Sequence, residues 1–320
     1  MEPRVETYGG ARWEPVAHLL NEAYSERWSL PPLNIYGPDW EPVSAEKLEE
    51  EVREGRLARE GLFAATEGER LLSLAGGRMV GEGEERALEV MYVATRRERR
   101  RQHLAAACLE ALETWGREQG AGRARIGRVD SRLESACAFL EAQGYTCGDH
   151  DQMSITMAAE AREYQPLPVE LPPGCRLVQF RPGVDEQDWA ELRNTVFGEP
   201  EWTPEQFRER FENQPFFDPR GWVFVENEQG RKIAMSGIVV ARDETERVTG
   251  ACVEWVGALP EYRGKKLGQA VVVSCLNFAK QFEPEPLVLI TQYFRKPAVG
   301  LYKKLGFRVA RELRPYEKKL

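Results

Sequence analysis

Histidine is nearly missing from this chain. Among 320 residues there are three, His18, His103 and His150, and none lies in the C-terminal half. Without a ligand-type cluster they give no reason to expect a zinc centre or any other metal. Cysteine is scarce and scattered, at 108, 137, 147, 175, 252 and 275, with no Cys-x-x-Cys pair. At this length the six read as buried thiols of a cytoplasmic protein rather than a disulfide frame. No apolar run approaches the ~18 residues of a membrane span. The opening Met1-Glu-Pro-Arg-Val-Glu-Thr lacks the basic-then-apolar pattern of a secretion signal. Basic residues are in deficit, 44 against 52 acidic, for a net charge of −8, which argues against a nucleic-acid partner. What is present suits packed cores: 42% apolar and 10% aromatic residues. At roughly 100–200 residues per domain, the length suggests two domains.

A joint is visible. Residues 159–174, Ala-Glu-Ala-Arg-Glu-Tyr-Gln-Pro-Leu-Pro-Val-Glu-Leu-Pro-Pro-Gly, have four prolines and no helical or strand period. Proline fixes φ and removes donors, so the run reads as an extended connector. Either side of it the same order of elements recurs. The C-terminal half reads as a strand at Arg176–Phe180, helices over 185–197 and 203–211, strands over 222–226, 232–242 and 251–259, and a long helix over 264–282. A strand over 287–291, a helix over 297–305 and a last strand from Phe307 complete it. The N-terminal half repeats this pattern, from a strand near Val5 to a strand from Tyr145. Arg263 follows Arg100 by 163 positions, about half the chain, so the sequence is a duplication. We expect an α/β protein of two tandem domains, 1–160 and 175–320, joined by a Pro-rich linker at 161–174, each a mixed sheet flanked by helices.

The sharpest local signal is Glu254-Trp-Val-Gly-Ala258-Leu259-Pro-Glu-Tyr-Arg263-Gly264-Lys265-Lys266-Leu267-Gly268-Gln269-Ala270. A strand ends, a short basic turn follows, and a long helix begins. Free N–H groups at that helix start, with Arg263, Lys265 and Lys266, form a cradle for a pyrophosphate. Gly264 and Gly268 permit close backbone approach. The same spacing suits an ordinary strand–turn–helix whose basic residues are solvated. About forty residues on stands Arg295-Lys-Pro-Ala298-Val-Gly-Leu-Tyr302-Lys-Lys-Leu-Gly306-Phe307, a helix with Ala298 and Tyr302 four apart on one face. Taken alone Tyr302 reads as a packed core aromatic; its interest comes from following the cradle.

Together these residues resemble the GNAT superfamily, the acetyl-CoA-dependent N-acetyltransferases. The family's phosphate motif, Arg/Gln-x-x-Gly-x-Gly/Ala, is matched by Arg263-Gly-Lys-Lys266-Leu-Gly268, with Lys266 in place of the first glycine. Its later motif, Asn-x-x-Ala-x-x-Leu-Tyr-x-x-x-Gly-Phe, is matched with Arg295 in place of asparagine. The resemblance implies two GNAT-like domains with mostly antiparallel, splayed sheets. It implies acetyl-CoA as co-substrate, held by Ala258, Leu259, Arg263 to Ala270, Arg295 and Ala298, with the pantetheine arm between splayed strands. Tyr302 would then protonate the leaving thiolate. The N-terminal half matches more faintly: Arg100-Arg-Gln-His103-Leu-Ala105 has His103 where glycine belongs, and Leu140 stands where the tyrosine belongs. That half reads as a copy that has lost catalysis.

An amine nucleophile must lose a proton near neutral pH, and the working half has no histidine. Glu254 sits on the strand leading into the cradle, where period-2 alternation puts it on a face with Val256 and Ala258. A carboxylate in an apolar strand is unusual unless paired or functional, and its counterpart in the other half is the apolar Met91. We expect Glu254 to be the base; the alternative is a salt bridge to a neighbouring cation. The region of Phe197, Glu199, Trp202, Phe207, Phe211, Phe216 and Phe217 is aromatic and acidic, suited to a cationic amine, although any one of these rings reads as core. With no cysteine in either motif there is no reason for an acyl-enzyme. The expected function is acyl transfer from CoA to a small-molecule primary amine by direct attack in a ternary complex, by a monomer or homodimer. The alternative is a non-catalytic acyl-CoA-binding or scaffolding protein.

Overall fold

Strand alternation and, at Ala45–Arg53 and Pro204–Phe207, side-chain caps on the helix starts place the elements. A computed structural model describes residues 4–8, 12–37 and 39–320. In chain order the first elements are β1 (Arg4–Thr7), α1 (Trp13–Ala23), α2 (Ala45–Arg53), β2 (Leu62–Glu67), β3 (Arg70–Val80), β4 (Ala87–Thr95), α3 (Leu104–Glu118), β5 (Arg123–Asp130), α4 (Glu134–Ala142) and β6 (Thr146–Cys147). Then follow β7 (Ser154–Ala159), β8 (Arg176–Gln179), α5 (Glu186–Phe197), α6 (Pro204–Phe207), β9 (Trp222–Glu226), β10 (Lys232–Arg242), β11 (Val248–Ala258), α7 (Leu267–Lys280), β12 (Leu287–Gln292), α8 (Lys296–Lys304) and β13 (Arg308–Lys319). Thr203 starts α6 with a capping box to Gln206 and proline at the first turn, which satisfies orphan N–H groups. The helix expected through residue 211 winds on as a π-helical turn at Arg208–Glu212.

Two packing units result, and neither is a contiguous half. Unit 1 comprises Met1–Pro31, Asp39–Met153 and Arg311–Leu320; unit 2 comprises Pro32–Pro38 and Ser154–Ala310. The linear division at 160 and 174 therefore differs from the packing at three places. The reason lies in the sheets. In unit 1, β1 to β4 pair antiparallel in sequence, β4 pairs β5 in parallel, and β5 is covered by β13 running antiparallel. In unit 2, β8 to β11 pair antiparallel, β11 pairs β12 in parallel, and β12 is covered antiparallel by β7. The closing strand of each sheet comes from the far end of the other half. Without it, β5 and β12 would present unpaired N–H and C=O rows.

Unit 1 buries one core under α3, around Leu88, Leu109 and Leu112, and another under α1 and α2, around Leu19, Leu20 and Leu48. Unit 2 has one core in which Trp189, Phe207, Phe211 and Trp222 pack ring against ring, with centroids 4.4–6.4 Å apart. Three of these pairs meet edge-on, a geometry that adds about 0.5–1.5 kcal/mol each beyond area burial. Leu33 and Ile35 belong to this core as well. Among the described residues no helix is long and apolar enough to cross a membrane.

Candidate functional site

Below β11 the chain makes a 3-10 turn at Pro260–Tyr262, passes Arg263 and Gly264, and enters α7. Gly264 has φ +78° and Lys266 φ +59°. Lys266 thus adopts the left-handed conformation of the glycine it replaces, at a cost of about 1–3 kcal/mol. In consequence the N–H groups of Gly264 through Gln269 find no acceptor among the described residues. A Cβ added at Gly264 or Gly268 would meet no atom within 4 Å; the space above the loop is open. Three expected positions spend their N–H groups within the chain: Leu259 on the Ile233 carbonyl (2.9 Å), Arg263 on Pro260 (3.2 Å) and Ala270 on Lys266 (3.1 Å). The side chains of Leu267 and Ala270 are buried, whereas those of Arg263, Lys265, Lys266 and Gln269 are exposed. The Lys265 ammonium lies 4.8 Å from the Tyr262 ring centre. The residues present fit an anionic ligand bound by main-chain donors.

The strand above is split and bent. β11 and β12 pair only over Ala251–Val253 and Leu287–Leu289, so their ends part beyond Glu254 and Ile290. At the same point β11 bulges against β10: Gly237 faces Glu254 but Met235 faces Gly257, and Trp255 has φ +51°. The bulge breaks the alternation that would have put Glu254 on a face with Val256 and Ala258. Trp255 packs among Trp189, Phe197 and Trp202. Glu254 instead accepts a 2.5 Å hydrogen bond from the Tyr36 hydroxyl. Burial pushes its carboxyl above the ordinary carboxylate range, against the opposing pull of Tyr36, Cys252 and Arg210. Among the described residues it has no ion-pair partner within 4 Å, so the salt-bridge alternative is not what surrounds it.

On α8, Tyr302 is buried, and burial pushes its phenol up to about 12 against the Arg295 guanidinium. The phenol is therefore protonated at neutral pH, and its hydroxyl has no hydrogen-bond partner among the described residues. Arg295 is the residue before α8, and Ala298 bonds back to it at 2.9 Å. The Arg295 guanidinium lies 5.3 Å from the Phe197 ring, which lies 5.3 Å from Trp255. Phe197 thus joins the surroundings of Tyr302 to the bulge beside Glu254. Of the other aromatic residues expected near an acceptor, Phe207 and Phe211 are buried core, Trp202, Phe216 and Phe217 are half-buried, and Glu199 is exposed.

Unit 1 repeats this backbone with different side chains. Arg101 and His103 have φ +59° and +60°, matching Gly264 and Lys266, and β4 bulges at Met91. Arg100 is bound to the Glu26 carboxylate and the Ala23 carbonyl. A cavity of about 440 Å³ is lined by Met91, Arg100, Arg101, His103, Leu104 and Leu140, among others. Not every cysteine is a buried thiol: Cys147, in the two-residue strand β6, is exposed and Cys175 half-buried. Tyr36 and Arg210 were not visible from sequence: Tyr36 lies 218 residues from Glu254, and nothing in the spacing around either residue ties it to β11.

The comparisons agree with this geometry. An Acetyltransferase (GNAT) family model matches twice, over 13–145 and 186–307. A mycothiol acetyltransferase of Saccharomonospora viridis is 28% identical over 189 residues, 56% of this chain and 60% of that one. Another, of Thermobispora bispora, is 35% identical over 149 residues, 44% and 50%. The matches thus span about half to three-fifths of those relatives. A solved tandem GNAT protein from the clavulanic acid biosynthesis pathway shares the fold with a TM-score of 0.55, at 15% identity over 99% of this chain and 98% of that one. A phosphate-type loop below a bulged, splayed strand occurs twice here, each time inside a matched segment, and the chain belongs to the acetyltransferase (GNAT) family.

Proposed function

We propose that unit 2 moves an acetyl or other acyl group from CoA to the primary amine of a small molecule, by direct attack in a ternary complex. The observation that carries this is the run of unpaired N–H groups at Gly264–Gln269 under open space, at the end of a strand that carries the half-buried Glu254 carboxyl. The loop's main chain would hold the diphosphate, with Arg263, Lys265 and Lys266 adding positive charge, and the parted edges of β11 and β12 would take the pantetheine arm. When bound, the thioester supplies the activated acyl carbon. Glu254 takes the proton of the incoming ammonium, directly or through water. Tyr302, protonated at neutral pH, gives a proton to the sulfur as it leaves, and the nearby Arg295 charge favours that transfer. The name of the relatives supports acetyl as the group moved.

The cavity of unit 1 favours a second reading for that unit: it takes a CoA-type ligand but, with Met91 and Leu140 in the acid–base places, turns nothing over. The test is thiol release from acetyl-CoA by the full chain across a panel of primary amines. Amine-dependent release is expected, reduced about 10²–10⁴-fold by Tyr302→Phe and kept by Leu140→Ala. Acetyl-CoA binding without release for any amine would leave a binding or scaffolding protein.

A further inference from the structure

The segment Pro32–Pro38 is far from the catalytic strand in sequence, yet it packs within unit 2. Leu33 and Ile35 are buried in its core. Ile35 lies against Gly250 near the start of β11, so closely that a Cβ on Gly250 would stand 2.8 Å from the Ile35 Cγ2 and 3.0 Å from the Pro286 carbonyl. Asn34 Oδ1 accepts from the Tyr36 N–H at 3.1 Å. With Leu33 and Ile35 buried in the core, the backbone that carries the Tyr36 ring is anchored. It meets Phe216 at 5.5 Å, ring centre to ring centre, and the Arg210 guanidinium lies 4.8 Å from its centre. Its hydroxyl ends on Glu254 Oε1 at 2.5 Å.

We propose that Tyr36 is a positioning residue for the transfer reaction: its hydroxyl donates to the Glu254 carboxylate, fixes which oxygen faces the amine, and keeps the group ionised in its apolar surroundings. The proposal rests on the reading of Glu254 as the base. The physics is direct. A hydrogen bond to a carboxylate is shorter and stronger than a neutral one, and it favours the ionised form. One Glu254 oxygen is held by the phenol, which leaves the other for the ammonium proton. The groups facing Glu254 are Tyr36 from the 32–38 segment, Cys252 on its own strand and Arg210 from the π-helical turn. Burial, and then the Glu254 charge, drive the Tyr36 phenol far above its ordinary range. It stays protonated and acts as a donor at every working pH. Cys252, driven well up by burial, is a thiol there too. Arg210 is the cation whose charge acts on the carboxyl. Phenol and thiol both hold their protons near neutrality, so the titration followed there is that of Glu254.

The experiment uses the full chain with ¹³C-labelled glutamate. The Glu254 carboxyl resonance, assigned by its loss in Glu254→Gln, is titrated in the parent and in Tyr36→Phe, which keeps the ring and removes only the hydroxyl. In parallel, kcat/KM is followed against pH with the amine of the panel that gives the most thiol release. Removing the donor should raise the Glu254 midpoint, move the acidic limb of kcat/KM to higher pH by the same amount, and lower the plateau about 10-fold, in line with the loss of a charge-assisted bond. Acetyl-CoA affinity should stay within twofold. Gly250→Ala, which displaces the Ile35 anchor and leaves the hydroxyl in place, should give a smaller change in the same direction. A midpoint unmoved in Tyr36→Phe, with the variant folded by circular dichroism, overturns the proposal whatever the base is. A midpoint that moves while the limb stays put shows that Glu254 is not the base; the reading of the reaction then fails, and the positioning role with it.

Discussion

Units 1 and 2 carry the same loop and differ in what its side chains do. Each has two left-handed residues, at 101 and 103 or at 264 and 266, and each leaves the following N–H groups unpaired. In unit 1 the leading arginine, Arg100, is spent on Glu26, and Arg96, Arg99 and Glu98 are similarly engaged, with Glu22, Glu67 and Arg70. In unit 2 Arg263 has no ion-pair partner among the described residues. At the bulge one unit shows Met91 and the other Glu254; at the second motif one shows Leu140 and the other Tyr302. The backbone is a property of the fold and persists without selection on chemistry, because the strand, turn and helix around it fix φ and ψ. The side chains proposed to react are not needed to hold that loop, although Tyr302 also packs in the core of unit 2.

The comparison can be broken most severely at the bulge. Glu254→Gln should lower kcat/KM about 10²–10⁴-fold while calorimetry shows acetyl-CoA binding nearly unchanged. Burial raises the carboxyl's pKa, so the parent should lose activity as pH falls through a midpoint above the ordinary carboxylate range, and the variant should lack that acidic limb. Met91→Glu should create no activity, because Leu140 still stands in the acid's place.

A middle-sized effect is expected at the loop. Position 268 in unit 2 corresponds to 105 in unit 1, where Ala105 already carries a Cβ. Gly268→Val adds a branched side chain where the protein leaves open space. It should cost about 10-fold or more in acetyl-CoA affinity, roughly 1.4 kcal/mol, with Tm almost unmoved. An unchanged affinity by calorimetry would mean that the loop of unit 2 is not where the ligand's phosphates lie.

The smallest effect concerns Arg100. Its side chain, one-third exposed, bonds to Glu26 and to the Ala23 carbonyl. Arg100→Ala should cost no more than about 1 kcal/mol of stability, visible as a small fall in Tm at low salt, and leave turnover untouched. A large fall in turnover would show that unit 1 takes part in the reaction.

Much of this was legible in the sequence, for stated physical reasons. Duplication, element order and the two motifs depend on local spacing: Ala298 to Tyr302 along a helix, or the glycines and basic residues at a helix start. The bulge was not legible. Trp255 has a side chain that normally avoids positive φ, and only the packing of Trp189, Phe197 and Trp202 around it accounts for its place. Tyr36 was hidden for a related reason, since its partner is chosen by tertiary packing alone. The aromatic cluster was half legible: composition flagged the rings, and burial then divided them into core, as with Phe207 and Phe211, and rim, as with Trp202.

The crossed closing strands have a consequence for the order in which the molecule can be made. Unit 2 is complete once Ala310 has left the ribosome, whereas unit 1, nearly all of it synthesised first, lacks its last strand until Arg311–Leu320 emerge. The half translated first is the half finished last. Throughout that interval β5 waits with an open edge, and at about 5–20 residues per second the wait lasts on the order of ten seconds or more. The charges along β5, Arg123, Arg125, Arg128 and Asp130, are of the kind that keeps a waiting edge from pairing with a neighbouring nascent chain.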